Sequence, residues 1–302
     1  MSIIQIKFGD LSSLSLEEIL NRMDLRESTK ETYSKALKVF SNWLYENQID
    51  KPGKEDIISF KNHLKEKKLS AFTISSYLTA LRRLFTFLES QRLYPDITKG
   101  IKGVKKPKGY FKSPLIQSQI VKLLSSVDKS TIIGKRDFAI INLMLRTGLR
   151  TCEVSRANIE DIIFDSGEWI LKVQGKGSDS KDDFVILVEE SYKPIMEYLN
   201  MRKNYKPSDS LFISHSDRSL GKRLTISGIR KIIFNRLKEA GIKTNKISAY
   251  SFRHSSATLA LMNGADIVQV KDMLRHQNIN TTLIYAHNLK RISQGAEKFV
   301  RW

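Results

Sequence analysis

The chain has 302 residues, with 51 Lys and Arg against 32 Asp and Glu, a formal net charge of +19 and a single cysteine, Cys152. This length predicts two domains, and the charge indicates a polyanionic partner, with nucleic acid as the first interpretation and an anionic membrane surface as the second. One cysteine excludes a disulfide framework and a cysteine-based zinc site, and no signal peptide or ~18-residue apolar span is evident, so we expect a soluble, cytoplasmic, nucleoid-associated protein.

The first part of the chain, residues 12–99, has the apolar spacing of helices. Ser28 and Glu31 predict a capping box at the start of the first clear helix. The helices are predicted over 28–47, 54–69 and 71–91. Gly, Pro and Lys then cluster over 100–112 without apolar periodicity. The sequence therefore predicts a basic linker there, which joins an all-helical domain to a second domain.

The second domain is predicted over 113–302. Three short β-rich runs, interrupted by turns, predict a small antiparallel sheet. The runs are 157–164, 168–173 and 182–188, and helices are predicted over 115–127, 135–149, 190–204, 226–241, 251–265 and 266–276. Gly148, Gly241 and Gly264 fall where helix ends are expected. The fold class is therefore mainly α, with an all-helical domain and a mostly helical domain that carries a small antiparallel sheet.

Cationic and polar residues stand at helix ends and turns of this second domain. They are Arg150 with Glu153, Lys176 between two glycines, Arg253, His276 and Tyr285. Each one alone has an ordinary structural interpretation, such as a surface charge, a solvated turn lysine, a C-cap histidine or a core tyrosine. Together they have the composition of a site for phosphodiester chemistry.

The chemistry of that reaction explains the composition. Two arginines can hold the non-bridging oxygens of a pentacoordinate phosphorus, because guanidinium presents paired donors. A mobile lysine can protonate the leaving 5′ oxygen, and a tyrosine phenol can form a covalent ester. Since that ester retains the bond energy, neither ATP nor a metal is needed. The sequence accordingly has no phosphate-binding GxxxxGK[ST] loop, and we expect no cofactor.

The order and context of these residues resemble the tyrosine recombinase (phage integrase) family, most closely its Xer-type and transposon-integrase members. The resemblance is carried by "TGLRTCEV", by "GKG" at 175–177 and by "YSFRHSSATLALMNGADIVQVKDMLRHQNINTTLIYAH". It implies a nucleophile, Tyr285. It also implies supporting catalytic residues, which are Arg150, Lys176, Arg253 and His276, with Glu153 in a secondary role. The helical domain resembles the family's SAM-like core-binding domain in pattern only.

Three positions depart from the family's motifs. Tyr250 stands where His or Lys is usual, and a phenol can donate a hydrogen bond to phosphate but cannot act as a near-neutral acid or base. By chemistry alone Tyr250 is also a rival nucleophile. The glycine turn is followed by a longer, more acidic segment, so Lys181 is an alternative mobile lysine. Arg275 replaces the glycine of "LGH" and predicts an additional phosphate contact.

The resemblance implies that the two domains form a C-shaped clamp on duplex DNA. Candidate DNA-binding residues in the first domain are Lys30, Lys35, Arg82 and Arg83. In the second domain they are Arg223, Arg230 and Arg275. Any one of them can equally be a solvated helix charge. Phosphate contacts would dominate the affinity.

The implied reaction is site-specific strand exchange through a 3′-phosphotyrosyl intermediate and a Holliday junction. The implied partners are a duplex site with inverted repeats, a homo-tetramer on two such sites with a dimer on each, and a paralogue or accessory proteins. The C-terminal tail, 286–302, would dock on a neighbouring protomer or fold back on its own domain. Two other functions stay open: a DNA-binding protein with weak or no chemistry, and a type IB topoisomerase-like nicking and closing enzyme.

Overall fold

Apolar residues at helical spacing produce four helices in the first part of the chain. They are α1 (Leu16–Arg22), α2 (Glu27–Glu46), α3 (Lys54–Glu66) and α4 (Ala71–Ser90). The computed structural model describes residues 15–107, 113–175, 177–242, 244–293 and 300, with the backbone alone over 287–293. The internal contacts of the chain divide it into two units, 1–109 and 110–302, and these helices belong to the first.

An aromatic cluster between α2, α3 and α4 forms the centre of the first unit. The ring of Phe40 lies 4.9 Å from that of Phe60 and 6.4 Å from that of Phe85. Trp43 lies 5.4 Å from Phe60, and all four side chains are buried. Because each of these residues removes a large apolar area from water, the cluster accounts for much of the hydrophobic stabilisation of this unit.

The capping box predicted from Ser28 and Glu31 is wrong. Helix α2 begins at Glu27, and its N-cap residue, Arg26, makes no side-chain cap hydrogen bond. Ser28 therefore lies inside the first turn, where its side chain cannot cap the helix. A capping box occurs instead at α1, where Ser15 and Glu18 exchange hydrogen bonds with each other's backbone N–H.

The first half of the segment expected to be a linker packs on the helical unit. Ile101 is buried in the first core, and its carbonyl oxygen accepts a hydrogen bond of 2.9 Å from Arg82 Nη2. Lys106 Nζ lies 5.6 Å from the ring centroid of Phe72. Apolar burial and a cation–π contact thus attach residues 101–106 to the first unit. This unit therefore extends beyond the residues 12–99 predicted for the helical domain.

The second unit combines a small sheet with helices. The strands β1 (Ile162–Asp165), β2 (Glu168–Val173) and β3 (Asp183–Ile186) pair antiparallel in that order, with Phe164 opposite Trp169 and Lys172 opposite Phe184. The helices are α5 (Gln117–Ser125), α6 (Ile132–Thr147), α7 (Thr151–Arg156), α8 (Glu189–Arg202), α9 (Ile226–Glu239), α10 (Ala249–Met262), α11 (Ile267–Leu274) and α12 (Asn280–Ser293). None of the described helices combines the length and apolarity needed to cross a membrane.

Helix α6 is the centre of the second unit, because it packs against α8, α9 and α10. It ends at Gly148, which has a left-handed φ of 64°. A Cβ atom at Gly148 would lie 2.5 Å from Cδ2 of Leu274, so α6 and the end of α11 approach closely there. Glycine therefore permits both the turn and the approach, and it directs the chain toward Arg150.

Candidate active site

Arg150 lies two residues beyond the left-handed glycine that ends α6, at the N-cap of α7. Its Nη1 lies 2.7 Å from Oε1 of Glu153, and its backbone N–H donates to Oε2 of the same carboxylate at 2.7 Å. The Glu153 side chain is buried, whereas that of Arg150 is partly exposed. Because the Glu153 carboxylate accepts hydrogen bonds from both the backbone N–H and the guanidinium of Arg150, it fixes the orientation of that guanidinium.

Arg253 is buried near the start of α10, as its fifth residue, and contacts the ends of two other helices. Its Nη1 donates to the carbonyl oxygen of Gly148 at 2.7 Å, and its Nη2 donates to that of Leu274. Burial, together with the charge of Arg150, lowers the pKa of Arg253 to about 10. The guanidinium is therefore still protonated at neutral pH, and these two contacts leave its other N–H groups for a ligand.

His276 follows α11, and its Nδ1 lies 2.8 Å from the hydroxyl oxygen of Thr282. Burial first, and then the charges of Arg253, Arg150 and Arg275, lower the pKa of His276 to about 4. The imidazole is therefore neutral at physiological pH. When its Nδ1 accepts a hydrogen bond from the Thr282 hydroxyl, the ring proton is on Nε2 and can be donated to a ligand.

Tyr285 lies on α12 and is 4% exposed. Its ring is parallel to that of His276 with centroids 6.5 Å apart, and the ring of His254 lies 5.2 Å away. Burial raises the pKa of Tyr285 to about 12, and the opposing charges of Arg253 and Arg150 do not offset this increase. Tyr285 is thus a packed residue that also lies among the predicted catalytic groups.

Tyr250, in contrast, is 60% exposed at the start of α10. Its ring lies 4.5 Å from that of His254, in an edge-to-face arrangement. The ring of His254 thus lies between those of Tyr250 and Tyr285 and makes an edge-to-face contact with each. The hydroxyl of Tyr250 is available to solvent near the site, which suits a hydrogen-bond donor to a bound phosphate.

The predicted mobile lysine, Lys176, lies outside the described residues. The base of its turn is held by Arg156, whose Nη1 donates to the carbonyl oxygen of Gly175 at 3.1 Å. The alternative, Lys181, is paired with a buried carboxylate: its Nζ lies 2.6 and 2.7 Å from the two oxygens of Asp161. This ion pair restrains Lys181, and Lys176 stays the predicted mobile lysine.

Arg275, the predicted additional phosphate contact, is enclosed within the protein in this structure. Its side chain is 4% exposed, its Nη2 lies 2.8 Å from Oε2 of Glu153, and its Nη1 donates to the carbonyl oxygen of Met273. A guanidinium enclosed in this way is directed into the protein. The sequence could not predict it, because Glu153 is 122 residues away.

The other candidate DNA-binding residues fall into two groups. Lys35, Arg83 and Arg230 are exposed, with no hydrogen bond or ion pair to other described residues; Arg223 is exposed as well but makes contacts within the protein. The others make contacts within the protein: Lys30 pairs with Glu27, Arg82 donates to Ile101, and Arg223 donates to the carbonyl oxygens of Ser155 and Ala157. The second group therefore has fewer N–H groups to offer DNA.

Two residues of the site were missed by sequence reasoning. Thr282 precedes Tyr285 by three residues, which places both on one face of α12, and this spacing was a usable signal. Arg156 gave no signal, because its contact with the Gly175 carbonyl depends on the tertiary position of the turn. Of the predicted docking tail, 286–302, residues 294–299 and 301–302 lie outside the described residues, and only the backbone is described over 287–293.

Two protein-family models match the chain, one in each unit. "Phage integrase, N-terminal SAM-like domain" matches residues 16–92, and "Phage integrase family" matches residues 114–291. The fold and the site thus define an enzyme that cleaves and rejoins DNA. The chain belongs to the phage integrase family, the tyrosine recombinases, and is similar to its Xer-type site-specific members.

Curated relatives cover nearly the whole chain. It is 30% identical over 292 residues to the tyrosine recombinase XerD of Listeria monocytogenes serotype 4b, which spans 93% of this chain and 95% of the relative. It is 29% identical over 290 residues to XerD of Vibrio cholerae serotype O1, which spans 90% and 91%.

Solved structures share the fold. XerH bound to palindromic difH substrate, in a post-cleavage complex, has a TM-score of 0.74 at 23% identity, over 98% of this chain and 92% of that one. The Tn1549 transposon integrase in complex with transposon right end DNA has a TM-score of 0.67 at 16% identity, over 93% and 99%. The predicted mainly α fold, with a SAM-like unit and a catalytic unit, is therefore confirmed.

Proposed function

We propose that this protein is a site-specific recombinase in which Tyr285 attacks a DNA phosphate and forms a 3′-phosphotyrosyl ester. One observation carries the proposal: Tyr285 packs beside His276 in a site that also contains the buried Arg253 and the anchored Arg150. A tyrosine that served only the core would not need two cations and a neutral histidine near it. The free 5′-hydroxyl of a partner strand would then reverse the step through a Holliday junction.

Arg150 and Arg253 would bind the non-bridging oxygens of the scissile phosphate. As the phenol oxygen bonds to phosphorus, charge accumulates on those oxygens, and preorganised N–H donors stabilise it most at that stage. Arg253 keeps its charge at neutral pH despite its lowered pKa of about 10. His276 would add a neutral N–H donor. Because burial raises the pKa of Tyr285 to about 12, the phenol stays protonated until DNA binding changes its surroundings.

Lys176 would protonate the leaving 5′ oxygen as general acid, and the proton that the phenol of Tyr285 releases as its oxygen bonds to phosphorus would pass to solvent water. The turn that carries Lys176 is anchored at Gly175 by Arg156, and Lys181 is restrained by Asp161. Tyr250 would support the phosphate as a hydrogen-bond donor in place of the usual histidine or lysine. The ester retains the energy of the cleaved bond, so the proposed cycle uses neither ATP nor a metal.

The proposed substrate is a duplex site with inverted repeats. The fold relative XerH was solved with its difH substrate, which supports a DNA site as the partner. A dimer on each of two sites would make the active tetramer, with a paralogue or accessory proteins as further partners. Exposed cations on the two units, Lys35, Arg83 and Arg230, would contact phosphates.

The test uses a suicide duplex, with a site selected by this protein from a random duplex library. Wild type, Tyr285→Phe and Tyr250→Phe are incubated with it, and covalent protein–DNA adducts are separated on a denaturing gel. We expect the adduct to be lost with Tyr285→Phe and only reduced, about 10-fold, with Tyr250→Phe. Tyr45→Phe is the matched control, because Tyr45 is an exposed tyrosine on α2.

Three outcomes would contradict the proposal. An adduct that survives Tyr285→Phe and disappears with Tyr250→Phe would make Tyr250 the nucleophile. Tight binding of the selected site without any wild-type adduct would favour a DNA-binding protein without chemistry. Relaxation of supercoiled DNA that lacks the selected site would instead favour a topoisomerase-like activity.

A further inference from the structure

Arg275 and Arg150 hold the same buried carboxylate. Glu153 Oε1 lies 2.7 Å from Arg150 Nη1, and Oε2 lies 2.8 Å from Arg275 Nη2. The Glu153 side chain is fully buried and that of Arg275 is 4% exposed. The three charges form an Arg150–Glu153–Arg275 chain, which we call the carboxylate bridge.

Stability alone does not explain an arginine at position 275. Its backbone is left-handed, with φ 54° and ψ 48°, a conformation that favours glycine. Its Nε is buried and has no hydrogen-bond partner among the residues that the structure describes. Both features cost folding free energy, and local strain of this kind is typical of functional sites.

Arg275 also connects two elements of the site. Glu153 lies on α7, whose N-cap is Arg150, whereas Arg275 ends α11 and directly precedes His276. The ion pair therefore links the position of the first arginine to that of the histidine. Arg253, which donates to the carbonyl of Leu274, holds the same end of α11 from the other side.

We propose that Arg275 is a positioning residue for DNA cleavage, which keeps Glu153 ionised and in place so that Arg150 meets the scissile phosphate. This inference rests on the proposed function, and it assigns Arg275 a role inside the protein instead of on DNA. Without Arg275, the buried Glu153 would have one cationic partner fewer, and Arg150 would lose its fixed orientation.

The charges that face Glu153 support this role. They are Arg150 at the N-cap of its own helix, Arg275 at the end of α11 and Arg253 on α10. Burial by itself raises the pKa of Glu153, but the charge of Arg275 and then the N–H and charge of Arg150 outweigh it and hold the pKa below its ordinary value. Arg275 is thus a principal reason why this carboxylate stays ionised.

The first experiment compares wild type, Arg275→Gly and Arg275→Lys in single-turnover cleavage of the suicide duplex. Arg275→Gly suits the left-handed backbone, so a residue with only a packing role would be replaced without loss of cleavage. We expect cleavage to fall about 10- to 100-fold, while affinity for the uncleaved site changes less than about 3-fold. Arg275→Lys, which keeps the charge, should recover part of the rate.

Ser166→Gly is the matched control for the backbone change. Ser166 has a φ of 50° in the turn between β1 and β2, so this variant also places glycine at a left-handed position of the second unit. Its cleavage rate should equal that of wild type. Equal losses in Ser166→Gly and Arg275→Gly would overturn the inference, because the effect would then be a general consequence of new glycines.

A double-mutant cycle tests whether Arg275 acts through Glu153. In a Glu153→Gln background, Arg275→Gly should change the cleavage rate by less than about 3-fold, since a neutral amide already replaces the carboxylate that Arg275 positions. If the fold losses of cleavage rate in the two single variants multiply fully in the double variant, Arg275 does not act through Glu153 and the carboxylate bridge is contradicted. In Arg275→Gly alone, the decline of cleavage with acidity should begin at a higher pH than in wild type.

One readout does not depend on catalysis. A lowered folded-state pKa makes Glu153 contribute stability above its unfolded pKa of ~4.3, and that contribution is lost as pH falls through the folded value. In Arg275→Gly the folded pKa is higher, so this loss should begin at a higher pH in thermal unfolding. Identical pH profiles would overturn the inference.

The failure of the proposed function is distinguishable from that of this inference. If wild type forms no adduct on a bound site, the proposed function fails and Arg275 has no cleavage step to serve. If wild type forms the adduct and Arg275→Gly forms it at the same rate, only the role of Arg275 is refuted.

Discussion

At the scale of single residues, two neutral histidines lie beside Tyr285. Burial, followed by the charge of Arg253, lowers the pKa of both His254 and His276 to about 4. A group with such a pKa does not titrate between pH 5 and 8. His276 is therefore suited to donate a hydrogen bond to phosphate, and it is unsuited to exchange protons near neutrality.

These histidines predict a loss of stability in mild acid. An unfolded histidine binds a proton near pH ~6.5, whereas these two bind it only near pH 4, so between those values the unfolded state holds more protons. The stability of the second unit should thus be greatest above pH 6.5 and fall toward pH 4. Thermal unfolding from pH 7 to 4.5 measures this decline.

The variant His276→Gln should make that decline shallower, because it removes one of the two groups that take up protons on unfolding. His63→Gln is the control, since His63 lies in the first unit, on α3. A decline equally steep in wild type and His276→Gln would show that His276 is already protonated in the folded protein.

At the scale of elements, Gly148 controls how α6 approaches α11. We expect Gly148→Ala to destabilise the protein by about 2–3 kcal/mol, because it combines a left-handed alanine with an overlap against the buried Leu274. Gly241→Ala is the matched control, with a φ of 66° and only the flexible end of Lys122 at 3.4 Å. It should cost about 1 kcal/mol. Urea unfolding compares the two, and equal losses would contradict the close approach.

A buried ion pair network attaches α6 to α9. The carboxylate of Asp137 lies 2.7 Å from Nη2 of Arg136 and 2.7 Å from Nη2 of Arg236, and Asp137 is buried. Asp137→Ala leaves two arginines without this partner and should cost about 3–5 kcal/mol in urea unfolding. Glu239→Gln, at the exposed carboxylate that pairs with Arg236, should cost less than about 1 kcal/mol. If both losses are below 1 kcal/mol, the network does not hold the helices together.

At the scale of the whole molecule, the C-terminal tail is predicted to join protomers. Removal of residues 294–302 leaves α12 and Tyr285 in place. We expect the shortened protein to bind one site with wild-type affinity but to lose recombination between two sites, because the contact between neighbours is lost. Gel-shift and plasmid recombination assays measure the two activities. Full recombination by the shortened protein would refute docking of the tail.

Local patterns in the sequence predicted nine of the described helices and the three strands, although the first predicted strand overlaps β1 only over 162–164, and they nominated the candidate site residues; α1, α7 and α12 were not predicted as separate helices. Helical periodicity is a local property, and the three motifs place Arg150, Arg253, His276 and Tyr285 in a recognisable order. The error at Ser28 was also local: a capping box needs the helix to begin one residue beyond it, and α2 already begins at Glu27.

The tertiary structure alone decided which cations serve the site and which are held elsewhere. Lys181 pairs with Asp161 20 residues away, Arg82 with the Ile101 carbonyl 19 residues away, and Arg275 with Glu153 122 residues away. It also decided that His276 is neutral, since its pKa depends on burial and on Arg253 and Arg150 from other segments as well as on the adjacent Arg275. Charge, solvation and hydrogen bonding depend on neighbours in space, and one-dimensional spacing does not specify those neighbours.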